Sequence, residues 1–401
     1  MTFVPRVALF ADCFHETNGV ANTMRRLESY ARANGLPMLC VRHADQPGLH
    51  RAGTVTAVEL RRSPLRIPID MDFGFDLLVS RHLRGLIQRL RDFGADVVHI
   101  TGPGDCSALG LFAARALGVP LVASWHTNIH EFGARRLARA LPWLPERLRS
   151  RAISAPERAM LRLLLLYYRI PRLILAPNVE LVSLLSERTG RPVRLMSRGV
   201  DTALYSPERR RRTSGELVFG YVGRLTPEKN VGLLLRVARA LELARAREYR
   251  FVIVGDGGER RALERAMPQA EFPGVLKGEL LAGAYASMDV LLFPSCTDTF
   301  GNVVLEAQAS GVPALVTGAG GPKFSVTGGS TGWIAESDAD FVSKAVEIAA
   351  ARQNLPAMRA ACRDAALERR WDIVFARLYD AYRSVVEMPG ARRAEAVADA
   401  G

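Results

Sequence analysis

The sequence predicts an α/β protein made of two doubly wound parallel sheets. Three observations lead to this. Short aliphatic runs alternate with amphipathic stretches along the whole chain, the rhythm of strand–helix–strand units. At 401 residues the chain is longer than one hydrophobic core usually grows, so two domains are expected. A polar passage rich in Pro and Arg, Ser206-Pro207-Glu208-Arg209-Arg210-Arg211-Arg212-Thr213-Ser214-Gly215, interrupts the rhythm, which then restarts.

In the first half, strands are expected at 6–11, 38–41, 54–60, 96–100, 120–124, 172–176 and 193–196, with amphipathic helices at 21–33 and 76–92 between them. The first of these strands, containing Val7-Ala8-Leu9-Phe10, is continuously apolar, as a strand covered on both faces must be. In the second half, strands are expected at 217–221, 250–254, 274–276, 290–293, 313–316 and 332–334. The strand at 290–293 stops at Pro294, and the helix expected at 302–310 stops at Gly311. The expected organisation is a first domain over 1–200, a second over 201–370, a final helix over 371–388 and a disordered polar tail over 389–401.

Composition narrows the class. With 48% hydrophobic and 24% charged residues, the chain reads as an ordinary soluble globular protein. Its longest apolar stretch, 161–175, is broken by Arg162, Arg169, Pro171 and Arg172, too soon for a membrane span. The N-terminus reads as a first strand and not as a signal peptide. Five scattered cysteines suggest a reduced cytoplasmic protein, and seven histidines without metal-ligand spacing predict no structural metal. The net charge of +13 favours anionic partners, whether nucleic acid, lipid headgroups or phosphorylated ligands; arginines solvated on helix faces account for it equally well.

Ligands of open parallel sheets bind at the carboxyl edge of the strands, so the strand-to-helix loops are where chemistry is expected. Gly220-Tyr221-Val222-Gly223-Arg224-Leu225-Thr226-Pro227-Glu228-Lys229-Asn230 ends a strand and opens a helix just after Pro227. Arg224 and Lys229 in one such loop suit a diphosphate, or form a solvated basic loop. Val254-Gly255-Asp256-Gly257-Gly258-Glu259 would let backbone approach a ligand, although it lacks the spacing of a dinucleotide fingerprint and also reads as a tight turn. In the first half, Gly19 opens a helix after the loop Asp12–Asn18, and His126 closes a strand at the same edge. Asp298 and Glu306 flank the turn Phe300-Gly301-Asn302-Val303 between a buried strand and a helix.

Taken in order, these motifs resemble the retaining, nucleotide-sugar-dependent glycosyltransferases of family four. The resemblance runs from Asn18-Gly19-Val20 through His126, Gly223-Arg224, Lys229 and Gly255-Asp256-Gly257 to Asp298 and Glu306, and on into the last helix, 371–386. It implies the GT-B fold: two Rossmann-like doubly wound domains facing a central cleft, with the C-terminal helix crossing back to the N-terminal, acceptor-binding domain. It also implies residue roles. Glu306 binds the ribose hydroxyls and Asp298 the donor sugar. The amides of Phe300, Gly301, Asn302 and Val303 meet sugar and diphosphate. Arg224 and Lys229 neutralise the diphosphate as it leaves, and Gly223, Gly255 and Gly257 bind the donor with them. Gly19 approaches the diphosphate, and His126 attends the transferred sugar. Two positions depart from the family pattern. Asp298 stands where Glu is usual and reaches about 1.5 Å less, and Asn18 stands where many members have Gly.

The implied reaction is metal-independent transfer of a hexosyl group, mannosyl or glucosyl, from a nucleotide-diphosphate sugar to a lipid or glycan acceptor. No cofactor is required beyond that co-substrate. Positive charge at the sugar carbon and negative charge on the leaving diphosphate call for fixed cations and helix amides. The passage 134–149 mixes arginines with leucines and Trp143, suited either to an anionic bilayer surface or to a packed helix pair. A cytoplasmic enzyme, peripheral at the inner membrane face, is therefore expected. The competing classes are a nucleic-acid-binding protein, which the chain's lack of any recognition signature disfavours, and a sugar-phosphate synthase or phosphorylase on the same scaffold.

Overall fold

The computed structural model describes residues 3–16, 19–68, 74–76, 78–126, 146–211 and 215–388. Asn18, the tail from 389 and most of the passage 134–149 lie outside the described residues. The chain divides into two compact units, Met1–Ser197 with Phe375–Gly401, and Arg198–Val374.

The first unit runs β1 (Val7–Ala11), α1 (Gly19–Ala33), β2 (Met38–Ala44), β3 (Gly48–Ala52), β4 (Val55–Arg61), β5 (Arg66–Pro68), β6 (Gly74–Asp76), α2 (Leu83–Phe93), β7 (Val97–Ile100), α3 (Asp105–Leu117), β8 (Leu121–Ser124), α4 (Glu146–Tyr167), β9 (Leu173–Ala176), α5 (Val179–Thr189) and β10 (Val193–Leu195). Its main sheet has the order β10-β9-β8-β7-β1-β2-β4-β3, while β5 and β6 pair separately. Every pairing in the main sheet is parallel except β3 with β4. Strand order reverses between β1 and β7, the topological switch point of this sheet. All five residues of β1 are buried, which is why its sequence shows no polar alternation.

The second unit runs β11 (Leu217–Val222), α6 (Gly232–Leu243), β12 (Tyr249–Val254), α7 (Arg260–Ala266), β13 (Glu271–Gly274), α8 (Gly278–Ala286), β14 (Val290–Phe293), α9 (Asn302–Ala309), β15 (Ala314–Thr317), β16 (Gly332–Ala335), α10 (Asp338–Ala350) and α11 (Leu355–Leu367). Its sheet, β13-β12-β11-β14-β15-β16, is parallel throughout and has the Rossmann strand order. The switch point here falls between β11 and β14. Phe219, Tyr221, Leu234, Tyr285, Leu291 and Phe341 belong to one buried cluster around this sheet.

The last helix, α12 (Trp371–Glu387), begins in the second unit and continues from Phe375 in the first. Phe375 packs on Tyr30 of α1 with ring centroids 5.4 Å apart. The Tyr382 hydroxyl lies 2.7 Å from Nδ1 of His99 on β7, whose Nε2 lies 2.6 Å from Ser124 Oγ on β8. Burial pushes the His99 imidazole down to about 3, so it is neutral here.

Several elements differ from the sequence expectation. The helix expected from 76 begins only at Leu83. Asp76 instead ends β6, buried, and its carboxylate accepts from the Ser63 and Leu78 amides and from Arg81. A short polar side chain that binds nearby backbone competes with helix in this way. The strand expected at 274–276 is β13, which ends at Gly274 in the left-handed region. Strands β3, β5 and β6 were not expected. The first is largely exposed and the others are three residues long, so none carries an apolar run.

Candidate active site

In the second unit, the loops leaving β11 and β14 meet at the switch point. Lys229 Nζ lies 2.7 Å from both Asp298 carboxylate oxygens, and both side chains are mostly buried. The loop after β11 does not run straight into α6. Residues Pro227–Lys229 form a single 3-10 turn that ends at Asn230 in the left-handed conformation, and the α-helix starts only at Gly232. That turn carries Lys229 across to the β14 loop, and the Thr297 hydroxyl reaches the Glu228 carbonyl at 3.4 Å. Arg224 is the exposed cation of the pair, its side chain 66% accessible and 3.9 Å from Glu228.

The glycines of the two neighbouring loops permit close backbone packing. A Cβ on Gly255 would lie 1.9 Å from the Gly223 carbonyl oxygen, and one on Gly257 would lie 2.3 Å from the Leu225 carbonyl oxygen. Hydrogen bonds zip the loops together: Leu225 N to Asp256 O at 2.8 Å and Glu259 N to Leu225 O at 3.0 Å. Beneath them, the buried Tyr221 hydroxyl donates to the Arg224 carbonyl at 2.9 Å. The backbone that presents Arg224 is thus fixed from below.

The turn into α9 places Gly301 at φ 81° as the residue before the helix. Phe300 is buried in the core, so a ligand there would meet its backbone and not its ring. On α9, Val304, Leu305, Ala307 and Gln308 are buried, whereas Asn302, Val303 and Glu306 are partly exposed on one face. Those three lie within about 100° of one another around the axis. The helix opens at the carboxyl edge of the sheet, where the amides of a helix start point outward, and the Val304 amide donates back to the Gly301 carbonyl at 3.0 Å. Glu306 Oε2 accepts from the Tyr285 hydroxyl at 2.8 Å.

Three contributors to this site escaped the sequence reading. Tyr285 and Tyr221 sit in apolar runs and read as core. The third is the glycine-rich loop after β15, Gly318-Ala319-Gly320-Gly321-Pro322. Its Gly321 amide donates to the Asp298 carbonyl at 2.7 Å and braces the acidic loop. A Gly-rich segment following a strand was a legible signal for it.

In the first unit, Gly19 is the first residue of α1, and its carbonyl accepts from the Thr23 hydroxyl at 2.8 Å. His126 lies half-buried two residues beyond β8. The switch point between β1 and β7 is filled by the protein's own carboxylate. Asp12 accepts from the amides of Gly104 and Ser107 at 3.1 and 2.9 Å and from Ser107 Oγ at 2.6 Å, capping α3. Burial raises the Asp12 carboxyl to about 6 despite these hydrogen bonds. Among the described residues, no group of three or more His, Cys, Asp or Glu side chains is arranged to hold a metal ion. Nor is any described helix long and apolar enough to cross a membrane.

Comparison with known proteins follows the same division. Residues 17–179 match Glycosyltransferase Family 4, and residues 216–351 match Glycosyl transferases group 1. The chain is 33% identical to a GDP-mannose-dependent alpha-mannosyltransferase of Mycobacterium tuberculosis, over 95% of this chain and 97% of that one. It is 34% identical to the protein of the same description in Mycolicibacterium smegmatis, over 95% and 98% of the two chains. Among solved structures, the sucrose-phosphate synthase of Thermosynechococcus elongatus superposes with a TM-score of 0.69 at 17% identity, covering 94% of this chain and 98% of that one. The lipopolysaccharide outer core galactosyltransferase WaaB superposes with a TM-score of 0.67 at 15% identity, over 94% and 99%. These likenesses establish the fold, and the relatives alike over their whole length establish the family: the chain belongs to the family 4, group 1 glycosyltransferases and is a glycosyltransferase of GT-B fold.

Proposed function

We propose that the chain is a retaining, GDP-mannose-dependent mannosyltransferase acting on a lipid or glycan acceptor. The observation that carries this reading is the Lys229–Asp298 pair spanning the switch point of the second unit, with Glu306 on the exposed face of the adjoining helix. The choice of GDP-mannose rests on the descriptions of the two mycobacterial relatives.

The arrangement supports a division of labour. Glu306 takes the ribose hydroxyls, and the amides at the start of α9 meet the diphosphate. Arg224 and Lys229 neutralise that diphosphate as the bond between sugar carbon and phosphate oxygen breaks. The acceptor hydroxyl attacks from the same face and forms the new glycosidic bond, and its proton passes to the departing phosphate oxygen. No metal is assigned, because the two cations supply the charge that one would. Asp298 holds Lys229 in place and turns toward the sugar hydroxyls once the diphosphate claims the ammonium. For the first unit, the resemblance alone assigns Gly19 to the diphosphate and His126 to the transferred sugar.

An acceptor at an anionic membrane surface is favoured by helix α4. Met160, Leu163, Leu166 and Ile170 stand exposed at three- and four-residue spacing along and just beyond it, with Arg158, Arg162 and Arg169 exposed beside them.

A thermal-shift panel tests the donor. GDP and GDP-mannose are expected to raise Tm, by the equivalent of about 2.7 kcal/mol at a hundredfold excess over Kd. A rise with UDP or ADP in place of GDP would refute the guanine assignment. No rise with any of them would refute the nucleotide site.

A further inference from the structure

We propose that Tyr285 is a positioning residue that holds Glu306 ready for the ribose before the nucleotide arrives. The inference rests on the reading of Glu306 as the ribose carboxylate and deepens it.

The geometry is specific. Tyr285 lies near the end of α8 and is 0% exposed. Its ring is wedged edge-on against Tyr205, centroids 5.6 Å apart at 83°, so the hydroxyl cannot swing away. That hydroxyl donates to Glu306 Oε2 at 2.8 Å. Glu306, by contrast, is partly exposed on the open face of α9. An exposed glutamate has three rotatable side-chain bonds and explores many rotamers, and ordering them on binding weakens affinity. A buried donor that fixes one carboxylate oxygen restricts that freedom, and it takes up only one of the roughly four lone-pair sites a carboxylate offers to hydroxyl donors. Burial, with the Glu306 charge adding to it, holds the Tyr285 phenol well above its ordinary range, so it remains a donor at any working pH. A phenylalanine would fill the core equally well, so packing alone does not require the hydroxyl.

The test compares GDP with 2′,3′-dideoxy-GDP on the full-length protein by calorimetry. In the wild type, GDP should bind more tightly because Glu306 reads the missing hydroxyls. Tyr285→Phe should weaken GDP binding about tenfold, the scale of one hydrogen bond to a charged group, and leave dideoxy-GDP binding within about twofold. With GDP-mannose, the loss should appear in KM while kcat at saturation stays near wild type. Equal weakening of GDP and dideoxy-GDP would show a merely structural tyrosine and overturn the inference. Should the phenylalanine variant melt early, Glu306→Gln and the double variant complete a cycle: non-additive losses support the coupling, and additive losses overturn it. If the wild type binds both nucleotides equally, the ribose reading of Glu306 falls and takes this inference with it. If Glu306→Gln abolishes the discrimination but Tyr285→Phe does not, the ribose reading stands and only the Tyr285 role falls.

Discussion

At the scale of single residues, the two cations of the candidate site are held differently, and substitutions should separate them. Lys229 is mostly buried and gripped by both oxygens of Asp298, whereas Arg224 is exposed and only loosely paired. Lys229→Ala leaves Asp298 a part-buried carboxylate without its ammonium, at a stability cost of about 1–2 kcal/mol. Arg224→Ala should cost less than about 0.5 kcal/mol. On the proposed reading, in which both act on charge that develops in the transition state, both should lower kcat by about a hundredfold or more. Steady-state kinetics beside urea denaturation checks this, and near-normal turnover in both variants would remove them from the diphosphate. Lys229 and Glu306 were legible in the sequence because each follows a strand at a recognisable turn. Tyr285 was not, because its partner is 21 residues away and its own surroundings are apolar. The Lys229–Asp298 bond was also hidden. Spacing placed each residue at an edge, but only the strand order sets their two loops side by side.

Among the elements, α4 bears the clearest unabsorbed signal. A helix on the surface of a globular protein normally turns polar residues outward, yet this one exposes Leu163 and Leu166 at 62% and 55%. With arginines alongside, that face suits the headgroup region of an anionic bilayer. The protein should therefore float with vesicles containing anionic lipid and not with neutral ones, and replacing Leu163 and Leu166 by Ser should weaken flotation about tenfold or more. Equal recovery from both vesicle types would refute the surface. Most strands of the buried sheets were read to within a residue or two, since continuous apolar runs mark them, but β2 runs three residues longer than expected and β13 begins three residues earlier. Exposed β3 and the start of α2 were not, because one lacks an apolar face and the other is delayed by the Asp76 hydrogen bonds.

For the molecule as a whole, two titrating groups in the first unit, the buried His99 and the half-buried Asp12, set opposing pH dependences. His99 has a folded value of about 3 against 6.5 unfolded. Between those values the unfolded chain binds more protons, so stability rises with pH and is lost on acidification. Asp12 has a folded value of about 6 against 3.8 unfolded. In that window the folded chain binds more protons, so its contribution falls as pH rises. Across about pH 4 to 6 the two groups differ by close to one proton each with opposite sign and largely cancel, so denaturation measured there should show only a shallow rise in stability. Asp12→Asn should steepen that increase, and a shallower slope in this variant would refute the assignment. The fold class, the split into two sheets and the family were legible from rhythm and motif order. The proton traffic was not, since it depends on burial that no local pattern records.

The course of the final helix has a consequence for biosynthesis. Because the first unit takes in Phe375 onward, its segment up to Ser197 leaves the ribosome long before the piece that completes it. Until Tyr382 emerges, the imidazole on β7 lacks its phenol and the Tyr30 ring lacks Phe375. The nascent domain must wait, with part of its apolar surface uncovered, for the whole second unit to be translated.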